Sequence, residues 1–322
     1  MSATAMPALA PRHVLRDADL TPAAYRRLLD DAMRLSSHDA GNTPSHALAG
    51  KQVALVFAGP SLRTRTAFEA ALHRQGAGCS FLEAASIRLH DVASLEDAGQ
   101  VLSRRYEAIA FRGPAQAGIE ALAASARVPV WNAGTDEWHP THALADLLTM
   151  RQNSPKRLVD TSVCFVGDGR SAIARSLMTA AALIGMDIRI AAPRELQPDH
   201  STEFAANALA ARSGGQVIVT DDVDEAVGEV DFLYVGRWGA GDHPPDGGDR
   251  MAAAFGVDDE MVARTRNPLV QLLGCAADRV AAARNRISLT GGRVPLIVDE
   301  GENQLCAVTA MVVASLTEPE RP

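Results

Sequence analysis

The sequence predicts an α/β fold with two domains, each a parallel β-sheet flanked by helices, and an interdomain cleft. Short apolar segments alternate with helical patterns along the chain, and a second such series begins near residue 162. The chain has 322 residues, of which 47% are hydrophobic. Alternating strands and helices build parallel sheets, and a chain of this length and composition favours two hydrophobic cores over one.

The first series of elements predicts the first domain, residues 1–150 together with a C-terminal helix at about 303–320. Roughly the first ten residues are expected to be a loose tail, and Thr21 is a candidate cap for a helix over 22–36. The predicted strands are 52–57, 108–111 and 128–132, and the further helices are 65–75, 92–104, 116–125 and 141–151.

The second series predicts a second domain over residues 151–302. A segment rich in glycine, proline and aspartate, 239–250, is expected to be a long mobile loop. The predicted strands are 162–166, 187–191, 216–219, 231–235, 269–273 and 296–299. Ligands of such folds bind where the strands end, so the cleft is the expected site.

Bulk properties exclude several classes of function. The net charge of −8 argues against a nucleic-acid-binding face, and no apolar run reaches the roughly 18 residues of a membrane span. The N-terminus shows no secretory signal, which predicts a cytoplasmic location. The four cysteines are Cys79, Cys164, Cys275 and Cys306. They are too scattered to have the spacing of metal ligands, so no metal site is expected.

The most informative segment is Ser-Leu-Arg-Thr-Arg, 61–65. It follows an apolar strand and a Gly-Pro turn and precedes a helical pattern, so its backbone N–H groups lie at a helix N-terminus, where anions bind. Arginine matches phosphate oxygens with a planar fork. Because Arg63 and Arg65 cannot point the same way, one of them is expected to form an ion pair with Glu69, four residues after Arg65.

Two further groups point to the same chemistry. Arg112 directly follows an apolar strand, either at the site or as an ordinary loop arginine. Pro140 suits the first position of a helix, which puts His139 near its N-cap, as a donor to a polarised carbonyl or as a capping residue. His142 lies one turn further on, but no third ligand has the spacing for a metal.

Two weaker signals lie in the second half. Residues 167–172 read G-x-G-x-x-A after a strand, as in dinucleotide sites, but the acidic residue expected at the end of the next strand is missing, because Asp187 opens that strand. Cys275 follows the strand at 269–273 and either faces the cleft or is a small buried residue.

These motifs resemble the aspartate and ornithine carbamoyltransferases, closest to the ornithine branch, over about 45–318. The resemblance rests on Ser61-x-Arg63-Thr64-Arg65-Thr-x-Phe68-Glu69, Arg112-Gly113, His139-Pro140-Thr141-x-x-Leu144-Ala145-Asp146-Leu147-Leu148-Thr149 and Glu302-Asn303. It implies a carbamoyl-phosphate-binding N-terminal domain, an amino-acid-binding C-terminal domain and a homotrimer with active sites at subunit boundaries. It implies no metal and no organic cofactor.

The resemblance also implies roles for single residues. The catalytic residues would be Arg112, His139 and Cys275. The residues that bind carbamoyl phosphate would be Ser61, Leu62, Arg63, Thr64, Arg112, His139, His142, Cys275 and Gln304. The residues that bind the acceptor would be Ser171, Gly236, Arg237 and Ala240.

The chain departs from the family pattern at several of these positions. Leu62 replaces a threonine, His142 a glutamine and Gln304 an arginine. The ornithine motif Asp-x-Trp-x-Ser-Met-Gly is replaced by Gly236-Arg237-Trp238-Gly239-Ala240-Gly241, and His-Cys-Leu-Pro by Gly274-Cys275-Ala276-Ala277. The family's asparagine for the α-carboxylate is replaced by Ser171 or Ala172.

The departures predict a carbamoyltransferase with a changed acceptor. A buried ammonium needs a paired acceptor group, and the carboxylate that holds the α-amino group of ornithine is missing. The expected acceptor is therefore a non-standard amino acid or a peptidyl amine in specialised metabolism. The alternatives are an ornithine carbamoyltransferase with a drifted site, a non-catalytic family member that binds a phosphorylated ligand, and a dinucleotide oxidoreductase.

Overall fold

A computed structural model describes residues 13–36, 46–59, 61–83, 91–238, 255–274 and 296–317. The chain divides into two compact units, one of Met1–Leu148 with Gly301–Pro322 and the other of Thr149–Glu300. Each unit contains one parallel sheet flanked by helices, which confirms the predicted fold class.

The sheet of the first unit has the strand order β2-β1-β3-β4, and all its neighbouring strands are parallel. Its strands are β1 (Gln52–Phe57), β2 (Gly78–Glu83), β3 (Ala108–Arg112) and β4 (Val130–Asn132). The helices are α1 (Pro22–Ser36), α2 (Leu62–Arg74), α3 (Val92–Leu102), α4 (Gln116–Ser125) and α5 (Pro140–Gln152). Phe57 pairs with Arg112 in register, so β1 and β3 end at the same edge of the sheet.

Side chains alternate between the two faces of this sheet, and most of those on β1, β3 and β4 are buried on both faces. On one face, Val56 and Phe111 pack in a cluster with Leu95 of α3 and Leu122 of α4. On the other face, the rings of Phe57, Phe68 and Trp131 follow one another, with centroids 6.4 and 6.3 Å apart. Trp131 Nε1 also donates to Ser315 Oγ, at 3.1 Å, which ties the last helix to this sheet.

The sheet of the second unit has the order β7-β6-β5-β8-β9, again with parallel neighbours. Its strands are β5 (Ser162–Val166), β6 (Asp187–Ala191), β7 (Gln216–Thr220), β8 (Phe232–Val235) and β9 (Gln271–Gly274). The helices are α6 (Ala172–Ile184), α7 (His200–Ser213), α8 (Val223–Val227) and α9 (Asp259–Arg264). The last helix, α10 (Ile297–Leu316), begins in this unit and ends in the first.

The structure differs from the sequence-based prediction at two places. The strand predicted at 296–299 is wrong, because Ile297 begins α10. Its acidic residues Asp299 and Glu300 lie in the first helical turn, where the helix dipole favours negative charge. β2 was not predicted, because this edge strand is only partly buried and lacks a clear apolar pattern. Within the described ranges, no helix is both long and apolar enough to cross a membrane.

Candidate active site

The N-terminus of α2 presents backbone N–H groups at the end of β1. Ser61 occupies the N-cap position, yet its side chain makes no capping hydrogen bond to the helix. The first-turn N–H groups therefore keep the positive end of the helix dipole available for an anion. Thr64 is buried in this turn, whereas Leu62 is 80% exposed and points its apolar side chain into solvent.

The two arginines of this segment have different surroundings. Arg65 Nε donates to Glu69 Oε1 at 2.8 Å, and its guanidinium lies 3.7 Å from the centre of the Phe81 ring. These contacts fix Arg65 between α2 and β2, which confirms the prediction that one of the two arginines is structural. Arg63 is exposed, and its charge adds to the effect of burial in lowering the pKa of both His139 and His142.

Arg112 is the last residue of β3, and one of its guanidinium nitrogens donates to two acceptors. Its Nη1 donates to the carbonyl oxygen of Ala133 at 2.9 Å and to His139 Nε2 at 3.1 Å, which uses both hydrogens on that nitrogen. Within the described residues, the hydrogens on Nε and Nη2 have no hydrogen-bond partner. A guanidinium has five N–H donors, so three remain for an anion. Burial lowers the pKa of Arg112.

The partners of His139 define its tautomer. A guanidinium cannot accept a hydrogen bond, so His139 Nε2 is the acceptor from Arg112 and the ring proton is on Nδ1. Nδ1 lies 3.3 Å from Thr141 Oγ1, to which it donates. In this arrangement Nε2 cannot donate to a carbonyl oxygen. That role requires Arg112 to donate elsewhere and a proton to be bound at Nε2.

His142 and Asp146 continue the cluster along α5. The ring centroids of His139 and His142 are 5.2 Å apart, and His142 Nε2 lies 3.6 Å from Asp146 Oδ1. Burial, followed by the charges of Arg63 and Arg112, lowers the pKa of His142 to about 4. Burial is also the main cause of the pKa of His139 lying well below its usual value. Both rings are therefore neutral at neutral pH.

The loop between β4 and α5 packs closely against Arg112 and His139. Gly134 has φ of +121°, and a Cβ there would lie 3.0 Å from His139 Nε2 and closer still to Arg112 Nη1. Its N–H donates to Asn132 Oδ1 at 2.8 Å. Thr135 Oγ1 and Asn132 Nδ2 both donate to the side-chain oxygen of Gln116, at 2.8 and 3.2 Å. Sequence reasoning missed this loop, whose signal is a polar, glycine-containing turn after a strand.

Gln304 of α10 contacts the segment 61–65. Both Gln304 and Thr64 are buried, and Gln304 Nε2 donates to Thr64 Oγ1 at 3.3 Å. The amide thus contacts a residue that the resemblance assigns to phosphate binding, at the position where the family has an arginine. The structure brings together Arg112, His139 and His142 in one cluster, and Thr64 and Gln304 in a second contact.

The predicted acceptor residues of the second unit lie at the ends of β5 and β8. Ser171 caps α6, with its hydroxyl accepting from the N–H of Ala174 at 3.3 Å. The backbone N–H of Asp168 donates to the carbonyl of Arg237 at 2.9 Å, while the Arg237 side chain is exposed. Arg170 donates to both carboxylate oxygens of Asp168, each at 2.9 Å, so this carboxylate is already paired.

Gly236 has no room for a side chain. Its N–H donates to the carbonyl of Val166 at 2.9 Å, and a Cβ would collide with the ring of Phe165, 2.6 Å from Cε1 and closer to Cζ. Gly167 faces it just as closely, since a Cβ there would lie 2.8 Å from the Gly236 Cα. The Phe165 ring thus fills the space that a residue with a side chain would need. Cys275 and Ala240 lie outside the described residues.

In the described part of the chain, no group of three or more histidine, cysteine, aspartate or glutamate side chains is arranged to hold a metal ion. The donors for oxyanions in this part of the chain are a helix N-terminus and two arginines, and two neutral histidines lie beside them. Such an arrangement can bind a phosphorylated ligand and stabilise negative charge that develops next to it.

Comparison with known proteins identifies the family. Residues 12–152 match the family model "Aspartate/ornithine carbamoyltransferase, carbamoyl-P binding domain". Residues 159–314 match the model of the Asp/Orn binding domain of the same family. The chain belongs to the aspartate/ornithine carbamoyltransferase family. Its carbamoyl-phosphate-binding and amino-acid-binding domains are both present, and the prediction of a carbamoyltransferase enzyme is confirmed.

Curated carbamoyltransferases resemble this chain over nearly its whole length. The catabolic ornithine carbamoyltransferase of Rhizobium meliloti (strain 1021) is 34% identical, with 95% of this chain and 97% of the relative covered. The ornithine carbamoyltransferase of Actinobacillus pleuropneumoniae serotype 5b (strain L20) is 36% identical, with 95% and 98% covered.

Solved carbamoyltransferase structures share the fold. The ornithine carbamoyltransferase of Pyrococcus furiosus superposes with a TM-score of 0.84 at 28% identity, with 97% of each chain covered. The enzyme from Gloeobacter violaceus has a TM-score of 0.81 at 30% identity, with 96% of this chain and 99% of its own chain covered.

Proposed function

We propose that this chain transfers the carbamoyl group of carbamoyl phosphate to an amine other than free ornithine. The expected acceptor is a non-standard amino acid or a peptidyl amine in specialised metabolism. The attacking amine forms a bond to the carbonyl carbon, the carbonyl oxygen takes negative charge, and phosphate leaves. Preorganised donors stabilise both charges in such a reaction.

The proposal that carbamoyl phosphate is the donor rests on the contacts of the arginine at the end of β3. Arg112 holds two acceptors with Nη1 and keeps three N–H donors, next to His139 and at the sheet edge where α2 begins. A planar set of donors beside a helix N-terminus suits a phosphate group and a carbonyl oxygen together.

Single roles follow from this arrangement. Arg112, His139 and Cys275 are the proposed catalytic residues. The proposed residues for carbamoyl phosphate are Ser61, Leu62 through its backbone, Arg63, Thr64, Arg112, His139, His142, Cys275 and Gln304. The proposed residues for the acceptor are Ser171, Gly236, Arg237 and Ala240.

The packing around Gly236 supports a changed acceptor. Gly236 stands where the ornithine motif has the aspartate for the α-amino group, and the ring of Phe165 fills the space beside it. A carboxylate on this residue is therefore incompatible with the local packing. The neighbouring Arg237 is an exposed cation, which suits an acidic or acylated group better than a free ammonium.

Ornithine remains the second candidate acceptor, because the curated relatives at 34% and 36% identity are ornithine carbamoyltransferases. Loss of one buried ion pair weakens recognition of the α-amino group but leaves the δ-amine able to react. A non-catalytic role as a binder of a phosphorylated ligand is the third candidate, and the uncharged Gln304 beside Thr64 favours it.

The proposal includes a homotrimer in the cytoplasm. The trimer rests on the family resemblance, in which active sites lie at subunit boundaries. The cytoplasmic location rests on the scattered cysteines, which lack the pattern of a disulfide framework.

Thermal unfolding with and without carbamoyl phosphate tests the donor half. Ligand bound to the folded state raises the melting temperature, and Arg63→Ala is expected to abolish that rise. Arg65→Ala is the matched control: it lowers the baseline stability by removing the contacts with Glu69 and Phe81, yet keeps the ligand-induced rise. No rise in the wild-type protein at millimolar ligand contradicts the proposed donor.

A panel of amines incubated with carbamoyl phosphate tests the acceptor. The panel contains ornithine, α-N-acylated ornithine and peptides with a free side-chain amine, and mass spectrometry reads the ureido product. Product from an acylated or peptidyl amine, with little from ornithine, is the expected result. Ornithine turnover at the roughly 1–10³ s⁻¹ of ordinary enzymes overturns the changed acceptor, and binding without any product identifies a non-catalytic member.

A further inference from the structure

His142 and Asp146 form a histidine–carboxylate pair at the edge of the proposed phosphate site. They lie one helical turn apart on α5, with His142 Nε2 at 3.6 Å from Asp146 Oδ1. The carboxylate is fully buried, and 15% of the histidine side chain is exposed. A buried carboxylate at this distance stabilises an imidazolium more than a neutral ring.

Cationic groups on the other elements act in the opposite direction. Arg63 from α2 and Arg112 from β3 both disfavour a proton on His142, and burial adds to their effect. His139, with its ring centroid 5.2 Å away, is a further titratable group beside the ring. Asp146 also interacts electrostatically with Tyr25 of α1, whose hydroxyl donates to Asp17 at 3.3 Å. Without an anion, these charges leave His142 neutral at neutral pH.

A phosphate dianion reverses this balance. Its two negative charges offset the charges of the two arginines and attract a proton to any base beside them, because charge–charge energies at about 4 Å reach several kcal/mol in a partly buried site. We propose that His142 takes up a proton when a phosphate dianion binds at Arg63 and Arg112, and that Asp146 holds the resulting imidazolium beside the ligand. This inference rests on the proposed function.

The consequence is a third positive charge that exists only in the liganded site. Gln304 is neutral and contacts Thr64, and Arg65 contacts Glu69 and Phe81. Neither supplies charge to the phosphate in this arrangement. A histidine beside a carboxylate can supply this charge when an anion binds. When no anion is bound, the histidine is neutral, so the site does not hold a third buried cation next to two arginines.

Titration calorimetry with phosphonoacetamide tests the inference. This probe replaces the bridging oxygen of carbamoyl phosphate by a methylene group, so it cannot transfer the carbamoyl group. Proton uptake on binding is obtained at about pH 6 to 7 from measurements in buffers of different ionisation enthalpy. His142→Gln is the key variant, because an amide keeps the size and the hydrogen bonding but cannot titrate.

The wild-type protein is expected to take up about half a proton or more per bound ligand beyond His142→Gln. Its affinity, relative to that of the variant, should rise by up to about tenfold for each pH unit of acidification. Asp146→Asn is expected to reduce the extra uptake, and the exposed His46→Gln to leave it unchanged. Ionisation of the probe itself cancels between the wild-type protein and the variants.

Equal proton uptake by the wild-type protein and His142→Gln overturns the inference and leaves the proposed function intact. Absence of binding to the wild-type protein overturns both. Where His142→Gln binds too weakly to be measured, wild-type uptake is compared with the ionisation of the free probe. Uptake no greater than that ionisation overturns the inference, and a clear excess supports it.

Discussion

Individual side chains at this site are defined by the atoms that they already contact. Arg112 uses both hydrogens of Nη1, one on Ala133 and one on His139, and so keeps a defined set of three donors. The same contact puts the His139 proton on Nδ1. A donor from His139 to a carbonyl oxygen is therefore produced only when Arg112 moves its hydrogen bond to another acceptor and a proton is bound at Nε2.

The neutral histidines predict how stability depends on pH. The pKa of His142 is about 4 in the folded chain, against 6.5 when unperturbed, so the unfolded state binds more protons between these values. The stabilisation is complete above about pH 6.5 and is lost as pH falls toward about 4, by about 3 kcal/mol. Urea unfolding across this range is expected to show a shallower loss for His142→Gln than for the wild-type protein.

A residual slope from His139 is expected in His142→Gln, because burial lowers the pKa of that ring as well. His46→Gln, an exposed substitution in the same unit, is the control and should follow the wild-type curve. A His142→Gln curve parallel to that of the wild-type protein would show that the ring is not buried as described.

Gly134 predicts a steric effect on the two catalytic candidates. Gly134→Ala is expected to displace Arg112 and His139 and to lose the melting-temperature rise caused by carbamoyl phosphate. Gly50→Ala is the matched control, since Gly50 has φ of +79° and nothing within 4 Å of its Cβ position. The control should cost only the strain of a positive φ, about 1–2 kcal/mol, and Gly134→Ala about 1–3 kcal/mol more. Equal losses would contradict the predicted clash.

At the scale of whole elements, the site is built where strands end and helices begin. β1 and β3 end in register, and α2 and α5 begin shortly after β1 and β4. α10 then adds Gln304 from the far end of the chain. Parallel sheets collect the C-terminal ends of their strands at one edge. Because α2 begins after one of these strands and α10 packs on the same unit, Thr64 and Gln304 touch although they are 240 positions apart.

Ser171 gives a prediction at the N-terminus of α6. Ser171→Ala removes the cap and is expected to cost about 1 kcal/mol of stability, whereas Ser171→Gly costs a few tenths. Both variants remove the hydroxyl. If Ser171 binds the acceptor, both should raise the KM for that amine equally despite their different stabilities. A KM that follows stability would restrict Ser171 to its capping role.

Several elements were predictable because their signals are local. Apolar runs bounded by turns gave β1, β3 and β5, and Pro140 marked the start of α5. β2 was missed because it is an edge strand with partly exposed residues on both faces. Residues 296–299 were misread because the short apolar run at 296–298 has no period of its own, and the acidic residues after it, Asp299 and Glu300, favour a helix.

At the scale of the whole molecule, each unit has its own sheet and its own buried cluster. In the second unit, Cys164, Leu233 and Leu272 from three strands pack with Val227 of α8 and Met261 of α9. In the first unit, both faces of the sheet are covered, and the units are connected through α5 and α10. This organisation is consistent with the matches to two separate family models.

The proposed homotrimer predicts a native mass of about 102 kDa, three times the 34.0 kDa of one chain. Native mass spectrometry and sedimentation at several protein concentrations measure it. Cyclic symmetry makes a closed assembly, so the mass should not increase with concentration. A monomer at micromolar concentration would contradict the trimer while leaving the proposed donor and acceptor open to their own tests.

The sequence by itself determined the family and the two parallel sheets, and it predicted phosphate binding at residues 61–65, because these depend on local patterns and motif spacing. Only the tertiary structure decided that the Arg65 guanidinium lies against the Phe81 ring, that Gln304 contacts Thr64, and that the ring of Phe165 fills the space beside Gly236. Each of these contacts joins different elements or depends on how side chains fill a shared volume, and no pattern along the chain encodes such packing.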